Sequence, residues 1–323
     1  MPFNSQIDRT DASALIPEDA SREIWKAAIQ SSSVMDLARK LPDMPRKQRR
    51  MPVLSALPIA YFVDGDTGLK QTSEVNWDNV YLNAEEIAVI VPIPEAVLDD
   101  ADYDIWGEVT PLCAQAIGKV FDQAILFGTN APTAWPDDIL AGAVAASQTV
   151  DLSTVEGASG DIYDALMGVD GTIAMVEEDG FAVNGHVASL STRAKLRGLR
   201  NSDGVPIFHT ALAGRQDVQA TSRYELDGER IIFPRNGSMI PASALMFSGD
   251  WSQLVWSVRQ DLTYKLLDQA VIQDGSGNIV YNLAQQDMVA MRLVFRAAWA
   301  LPNPINPVNE TAATRYPFAV LVP

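Results

Sequence analysis

The sequence predicts an α+β protein, because one long helical segment lies between segments whose patterns predict strands. The helix is predicted at about residues 103–127, where apolar residues recur at steps of three and four and Gly128 follows as a cap. Strand patterns lie on both sides of it, and one pair of them forms an extended hairpin within residues 51–84. The long helix is therefore predicted to be the centre of the fold.

A proline and a group of aspartates mark the first half of this helix. Pro111 removes one backbone hydrogen bond, so a kink is predicted at residues 107–111. Two interpretations stay open: an ordinary core helix that tolerates its proline, and a spine that bends during a conformational change. Acidic residues cluster where the positive end of the helix is expected, and they are Asp99, Asp100, Asp102 and Asp104.

The segment before the helix is an almost unbroken apolar run at residues 87–93. Such a run predicts a strand that is covered on both faces. Pro92 and Pro94 are expected to end it, because proline cannot donate a hydrogen bond to a sheet.

The first fifty residues are predicted to form an arm. Short helices are expected at residues 17–30 and 34–40, and each offers too little apolar surface to be stable alone, so the arm should lie on another surface. Residues 39–50 hold six basic side chains against Asp43, in a chain whose net charge is −17. This basic segment is either a solvated linker or an arm that docks on an acidic neighbouring surface and orders only on assembly.

The hairpin consists of extended segments at residues 58–63 and 72–82, which flank a turn at residues 64–68. A two-stranded hairpin is barely stable in water by itself. One of this length is therefore predicted to rest on a partner chain.

The second half of the chain mixes helix and strand patterns. Residues 288–299 form an apolar segment that fits either a strand or a helix. The other predicted elements are helices at residues 161–176 and 191–199, a short strand at residues 181–183 followed by a turn that contains His186, strands at residues 230–233, 244–247, 253–258 and 262–267, a turn at residues 274–278, and a last strand at residues 318–322.

No pattern in the sequence points to chemistry. His186, His209 and the single Cys113 cannot supply a zinc site, and Cys113 falls on the apolar stripe of the long helix, which predicts a buried structural thiol. We therefore predict no catalytic residue, no metal and no cofactor, and a site made of carboxylates alone is the weakest alternative. The negative charge disfavours a protein that grips nucleic acid, and neither a membrane span nor a signal peptide is visible.

The order of these elements resembles the HK97-like major capsid protein of tailed bacteriophages. Each motif is weak alone, and their order along nearly the whole chain carries the resemblance. The matching segments are residues 15–17, 93–100, 122–129, 183–186, 196–199, 203–206, 249–251 and 256–259.

The resemblance implies a domain organisation. Residues 1–50 would form the N-terminal arm and residues 51–84 the extended hairpin, or E-loop. Residues 85–130 and 250–301 would form the peripheral P-domain, which contains the spine helix. Residues 131–249 and 302–323 would form the axial A-domain.

The resemblance also implies a function: a structural subunit that self-assembles into pentamers and hexamers of an icosahedral head around double-stranded DNA, without binding a specific DNA sequence. The virion would be its final location and the host cytoplasm its place of assembly. Other partners would be a portal, a decoration protein and a separate scaffolding protein, since residues 1–50 are short for a built-in scaffolding segment. Candidate contacts between subunits are Arg46, Lys47, Arg49, Arg50, Lys70 and Trp77.

Some members of the resembled family join subunits through an isopeptide bond between a hairpin lysine and an asparagine, assisted by a glutamate. Lys70 lies near the lysine position, but Asp287 and Val294 occupy the other two, so no crosslink is expected. The alternative function is the shell of an encapsulin-type nanocompartment, which shares the fold and encloses cargo protein. An enzyme that uses carboxylates would instead be a small oligomer with turnover.

Overall fold

The computed structural model describes residues 32–63, 69–100, 104–158, 160–199 and 224–323. The helix predicted at residues 17–30, the turn at residues 64–68, the loop motif at residues 203–206 and His209 lie outside these ranges. The helices are α1 (Ser33–Leu37), α2 (Glu95–Asp100), α3 (Ile105–Phe127), α4 (Ile139–Ala145), α5 (Leu152–Gly157), α6 (Ile162–Met167), α7 (Thr172–Glu178) and α8 (Leu190–Gly198). Among them none is both long and apolar enough to cross a membrane.

The strands form two larger sheets and two ribbons. They are β1 (Arg39–Lys40), β2 (Gln48–Ala56), β3 (Asn76–Asn83), β4 (Glu85–Pro94), β5 (Thr149–Asp151), β6 (Gly185–Ala188), β7 (Tyr224–Leu226), β8 (Glu229–Ile232), β9 (Met246–Gly249), β10 (Val255–Leu267), β11 (Val271–Gln273), β12 (Ile279–Asn282), β13 (Met288–Ala300) and β14 (Phe318–Val322). One sheet has the order β1-β10-β13-β4 and the other β5-β14-β9-β6-β8-β7. The ribbons are β2-β3 and β11-β12.

The long helix α3 packs on the four-stranded sheet, and its buried face supplies much of the main core. The ring of Phe121 meets Trp135 edge-on at 5.9 Å between ring centroids and Trp256 at 6.4 Å. Ile125 and Trp299 are buried in the same cluster. The helix has 23 residues, which corresponds to roughly 35 Å at 1.5 Å per residue.

Both ends of α3 confirm the local sequence signals. Asp104 is the N-terminal cap and accepts a hydrogen bond from the Gly107 amide at 3.1 Å. Gly128 ends the helix in the left-handed conformation, with φ 64°. Of the other acidic residues, Asp99 and Asp100 belong to the separate short helix α2. The helix continues through Pro111.

The strand β4 differs from its prediction. It is an edge strand, and within one subunit its side chains alternate between partly covered and exposed, with Ile90 43% exposed. Pro92 and Pro94 lie inside it, paired with Ala290 and Met288. An edge strand tolerates proline because one row of its backbone groups has no neighbouring strand. The apolar run therefore indicated a strand correctly, but not two covered faces.

The predicted helix at residues 161–176 is two helices, α6 and α7. The chain breaks at Gly168 and Gly171, where a Cβ at Gly168 would lie 2.4 Å from the Asp164 carbonyl oxygen. Val169, an apolar residue inside the predicted helix, is 85% exposed at this break. The strand predicted at residues 181–183 lies further on, as β6, and His186 is inside that strand instead of in a turn.

The C-terminal strands follow the sequence closely. Residues 253–258 and 262–267 join into one strand, β10, whose register shifts beyond Val258. The ambiguous segment at residues 288–299 is the strand β13, and β14 begins and ends at the predicted residues. The turn at residues 274–278 connects β11 and β12.

The segment that begins at Ser32 is packed on its own subunit. Val34 is fully buried in the main core, and the short helix α1 ends at Leu37, before the predicted residue 40. Beyond it, β1 pairs with the edge of β10. The basic segment at residues 39–50 is thus joined to the body through β1 and the buried Met44, while most of its basic side chains are exposed.

Candidate functional site

Among the described residues, His186 and the single cysteine, Cys113, are both buried. No three His, Cys, Asp or Glu side chains in them are grouped to hold a metal ion. His186 is fully buried, its Nδ1 lies 3.0 Å from the Ser248 hydroxyl, and burial lowers its pKa to about 4. Cys113 is buried as predicted, and burial raises the pKa of its thiol, which disfavours the reactive thiolate. The functional surfaces must therefore be sought among the side chains that project.

The base of the β2-β3 hairpin is anchored to the rest of the subunit. Leu82 is fully buried in a small cluster that includes Met44 and Ala298. Asn83 donates from its side-chain nitrogen to the Ala134 carbonyl at 2.8 Å, and its own carbonyl accepts from the Trp135 indole at 3.0 Å. These contacts fix the direction in which the hairpin leaves the body.

Beyond the base, the hairpin region has apolar side chains that the described residues leave uncovered. Phe62 is fully exposed, Leu69 is 89% exposed and Ile59 is 73% exposed. Trp77, on β3 opposite Leu54, is 65% exposed. Ile59, Phe62 and Leu69 lie in the segments between β2 and β3, beyond the paired strands, so the extended segment predicted at residues 58–63 is not a strand. Exposed apolar residues that occur singly are ordinary in proteins, whereas larger apolar patches are typical of interaction sites.

The predicted basic contacts fall into two groups. Arg49 donates to the carbonyls of Pro42 at 2.7 Å and Asp43 at 2.9 Å, and the Lys47 ammonium lies 3.2 Å from the Glu85 carboxylate. These two side chains therefore hold the hairpin base to the segment before it and to β4. The remaining basic candidates are exposed, and they are Arg46, Arg50 and Lys70.

A second exposed apolar surface was missed by the sequence reasoning. Tyr264 is 72% exposed and Leu266 50% exposed at the far end of β10, and Ile279 is 62% exposed on the neighbouring β11-β12 ribbon. The strand pattern at residues 262–267 was visible in the sequence. The pattern does not show which face of this strand is exposed, because that depends on how the sheet packs against the rest of the subunit.

A cleft of about 480 Å³ joins this surface to the spine helix. It lies where Pro111 interrupts the hydrogen bonding of α3, and there the Thr110 hydroxyl donates to the Trp106 carbonyl at 2.8 Å. Its lining is mostly apolar and consists of Trp106, Gly107, Thr110, Pro111, Tyr264, Leu266 and Met291. The proline thus lies at a partly open contact between helix and sheet.

Comparison with known proteins gives consistent results. A sequence profile of the Phage capsid family matches residues 12–308. The major capsid protein of Staphylococcus phage 80alpha is 23% identical over 280 residues, which cover 85% of this chain and 78% of that protein.

Solved structures agree with the sequence comparison. A chain from Microbacterium phage Oxtober96 superposes with a TM-score of 0.81 at 37% identity, covering 99% of this chain and 100% of that one. A chain from Mycobacterium phage Cain has the same TM-score at 34% identity and covers 99% of each. The predicted HK97-like fold is therefore supported over nearly the whole length.

Proposed function

The chain belongs to the phage capsid family, and on that premise we propose that its copies assemble as pentamers and hexamers into an icosahedral head around double-stranded DNA. It is a structural shell subunit, as the major capsid proteins that it matches are. Assembly takes place in the host cytoplasm, and a separate scaffolding protein, a portal and a decoration protein take part.

The observation that carries this proposal is the projecting hairpin. Its base is fixed to the rest of the subunit through Leu82 and Asn83, whereas the side chains of Phe62, Leu69 and Trp77 are exposed to solvent. Covering an exposed apolar side chain yields about 25 cal/mol per Å². A neighbouring copy can supply that cover at each hairpin, and repetition of one such contact builds a closed shell.

The predicted contact residues have different roles in this proposal. Trp77 provides apolar contact, while Arg46, Arg50 and Lys70 face acidic surfaces of neighbouring copies. Lys47 and Arg49 act within the subunit, before any contact with a neighbouring copy, because their bonds hold the hairpin base in position. The P-domain and A-domain division stays a proposal, which the separation into a four-stranded and a six-stranded sheet supports.

The shell is proposed to be held without covalent crosslinks. Val294 occupies the position that a catalytic glutamate would need, and it is only 8% exposed, in the middle of β13. An apolar side chain cannot accept the proton that amide formation releases. Lys70 therefore makes an ordinary contact.

The net charge of −17 suits a container for DNA. A strongly basic inner wall would bind phosphates tightly and hold the genome back during release. An acidic subunit leaves the packaged DNA mobile.

The proposal is tested by purifying the full chain, expressed alone and with its scaffolding protein, by size-exclusion chromatography followed by electron microscopy. Closed shells of uniform size are expected. Particles taken from infected cells should absorb strongly at 260 nm because they hold DNA. Shells that contain protein cargo and no DNA would favour the nanocompartment, and a small oligomer under every condition would refute a shell subunit.

A further inference from the structure

Asp122 is a fully buried carboxylate in the second half of α3. Its Oδ1 accepts from the Ser32 hydroxyl and from the Val34 amide at 3.2 Å. Its Oδ2 accepts from the Ser33 amide at 2.9 Å and from the Asn236 side chain at 3.4 Å. One carboxylate thus joins the spine helix to two segments that are about ninety or more residues away in sequence.

All four partners are donors, so the site is built for an ionised carboxylate, which only accepts. Burial opposes ionisation and raises the pKa of Asp122, while the hydrogen bonds from Ser32, Ser33, Val34 and Asn236 lower it. A buried carboxylate is costly unless it is paired in this way. Its presence on an otherwise apolar helix face therefore requires a role beyond packing.

Three of the four partners of Asp122 are consecutive residues that lead into α1, namely Ser32, Ser33 and Val34. The chain passes close over the spine at this point, because a Cβ on Gly118 would lie 3.2 Å from the Ser32 nitrogen. Further along, the backbone bonds from Leu41 to Trp256 and from Met44 to Val258 hold the chain to β10. Within the described residues, the bonds to Asp122 thus come before these contacts with β10 along the chain.

We propose that Asp122 is a latch that fixes the root of the N-terminal arm, residues 32–38, on the spine helix. Any consequence of the latch for contacts between copies rests on the proposed shell function. The attachment itself is a property of the single subunit.

The test is hydrogen–deuterium exchange of the full chain, with Asp122→Asn compared with the unaltered protein in the same oligomeric state. Asparagine turns one acceptor into a donor that faces other donors. Loss of bonds to a charged group should make the amides of residues 33–38 exchange about tenfold faster or more. Exchange in β13 should not change. The control is Asp99→Asn, which removes the same charge from an exposed position on α2.

Equal exchange at residues 33–38 in Asp122→Asn and in the unaltered protein would overturn the latch. If amide exchange in β13 is also faster in Asp122→Asn, the substitution has disrupted the whole fold. The variant Ser32→Ala then tests the latch. That variant keeps the carboxylate but removes the Ser32 hydroxyl that donates to it, so it should speed exchange at the amides of Ser33 and Val34, which donate to the same carboxylate. No change there would refute the proposal. None of these exchange measurements requires an assembled shell. A result that refutes the latch can therefore be distinguished from a result that refutes the proposed shell function.

Discussion

At the scale of single residues, buried polar side chains organise the interior of this subunit. His186 lies fully buried in β6 against Ser248, in the sheet that also contains β14. The sequence suggested a turn residue, because a lone histidine after a short apolar run carries no sign of its burial. By contrast, Asp104 and Gly128 were identified correctly, because a helix cap depends on residues within one turn of it.

Burial of His186 predicts a pH dependence of stability. Its pKa is about 4 in the folded subunit against 6.5 when exposed, so the unfolded chain binds the proton first as pH falls. The free energy of unfolding should therefore fall as pH drops from about 6.5 to 4, by about 3 kcal/mol from this group. Urea denaturation across that range measures it. The variant His186→Gln should show a flatter profile, and parallel profiles would contradict the assignment.

At the scale of elements, the long helices and strands could be predicted from the sequence. The predictions were wrong where tertiary packing determines the start, end or exposure of an element. β13 and α3 carry enough periodic residues to be predicted from the chain alone, apart from the ambiguity between strand and helix in β13. The break between α6 and α7 depends on two glycines whose tight turn lets Val169 point to solvent. The proline residues of β4 are compatible with a strand only because that strand lies at a sheet edge.

Pro111 should reduce the stability of the spine helix. Proline inside a helix removes one hydrogen bond and crowds the preceding turn, at a cost of about 3 kcal/mol in an isolated helix. Pro111→Ala should therefore raise the free energy of unfolding by about 1 to 3 kcal/mol, as measured by urea denaturation. The edge-strand control, Pro92→Ala, should change it less. A Pro111→Ala subunit that is no more stable than the original would show that the fold already compensates for the proline.

The hairpin prediction separates folding from assembly. Because Trp77 is 65% exposed in the subunit, Trp77→Asp should change the free energy of unfolding by about 0.5 kcal/mol or less. It should nevertheless prevent closed shells, since it places a charge in the contact with the neighbouring copy. Sedimentation velocity and negative-stain microscopy measure the yield of shells.

The matched control is Asn76→Asp, which adds the same charge next to Trp77 on β3 and removes no apolar side chain. It should form more shells than Trp77→Asp. Normal assembly of the Trp77→Asp variant would mean that this side chain is not a contact between subunits.

At the scale of the whole molecule, the order of elements was the informative signal. No single motif identified the fold, yet arm, hairpin, spine and returning strands in sequence order pointed to the family whose profile matches residues 12–308. The sequence could not show which apolar side chains of the folded subunit are exposed to solvent. Tyr264 and Ile279, for example, lie in strand patterns that were visible in the sequence, but their exposure of 72% and 62% depends on tertiary packing.

The central claim is that the surfaces left bare on one subunit are covered by other copies of the same chain. A cryo-electron microscopy reconstruction of the assembled particle tests it most directly. In that reconstruction we expect Phe62, Leu69 and Trp77 each to lie in van der Waals contact with a neighbouring subunit. A shell in which these three side chains remain in solvent would contradict it.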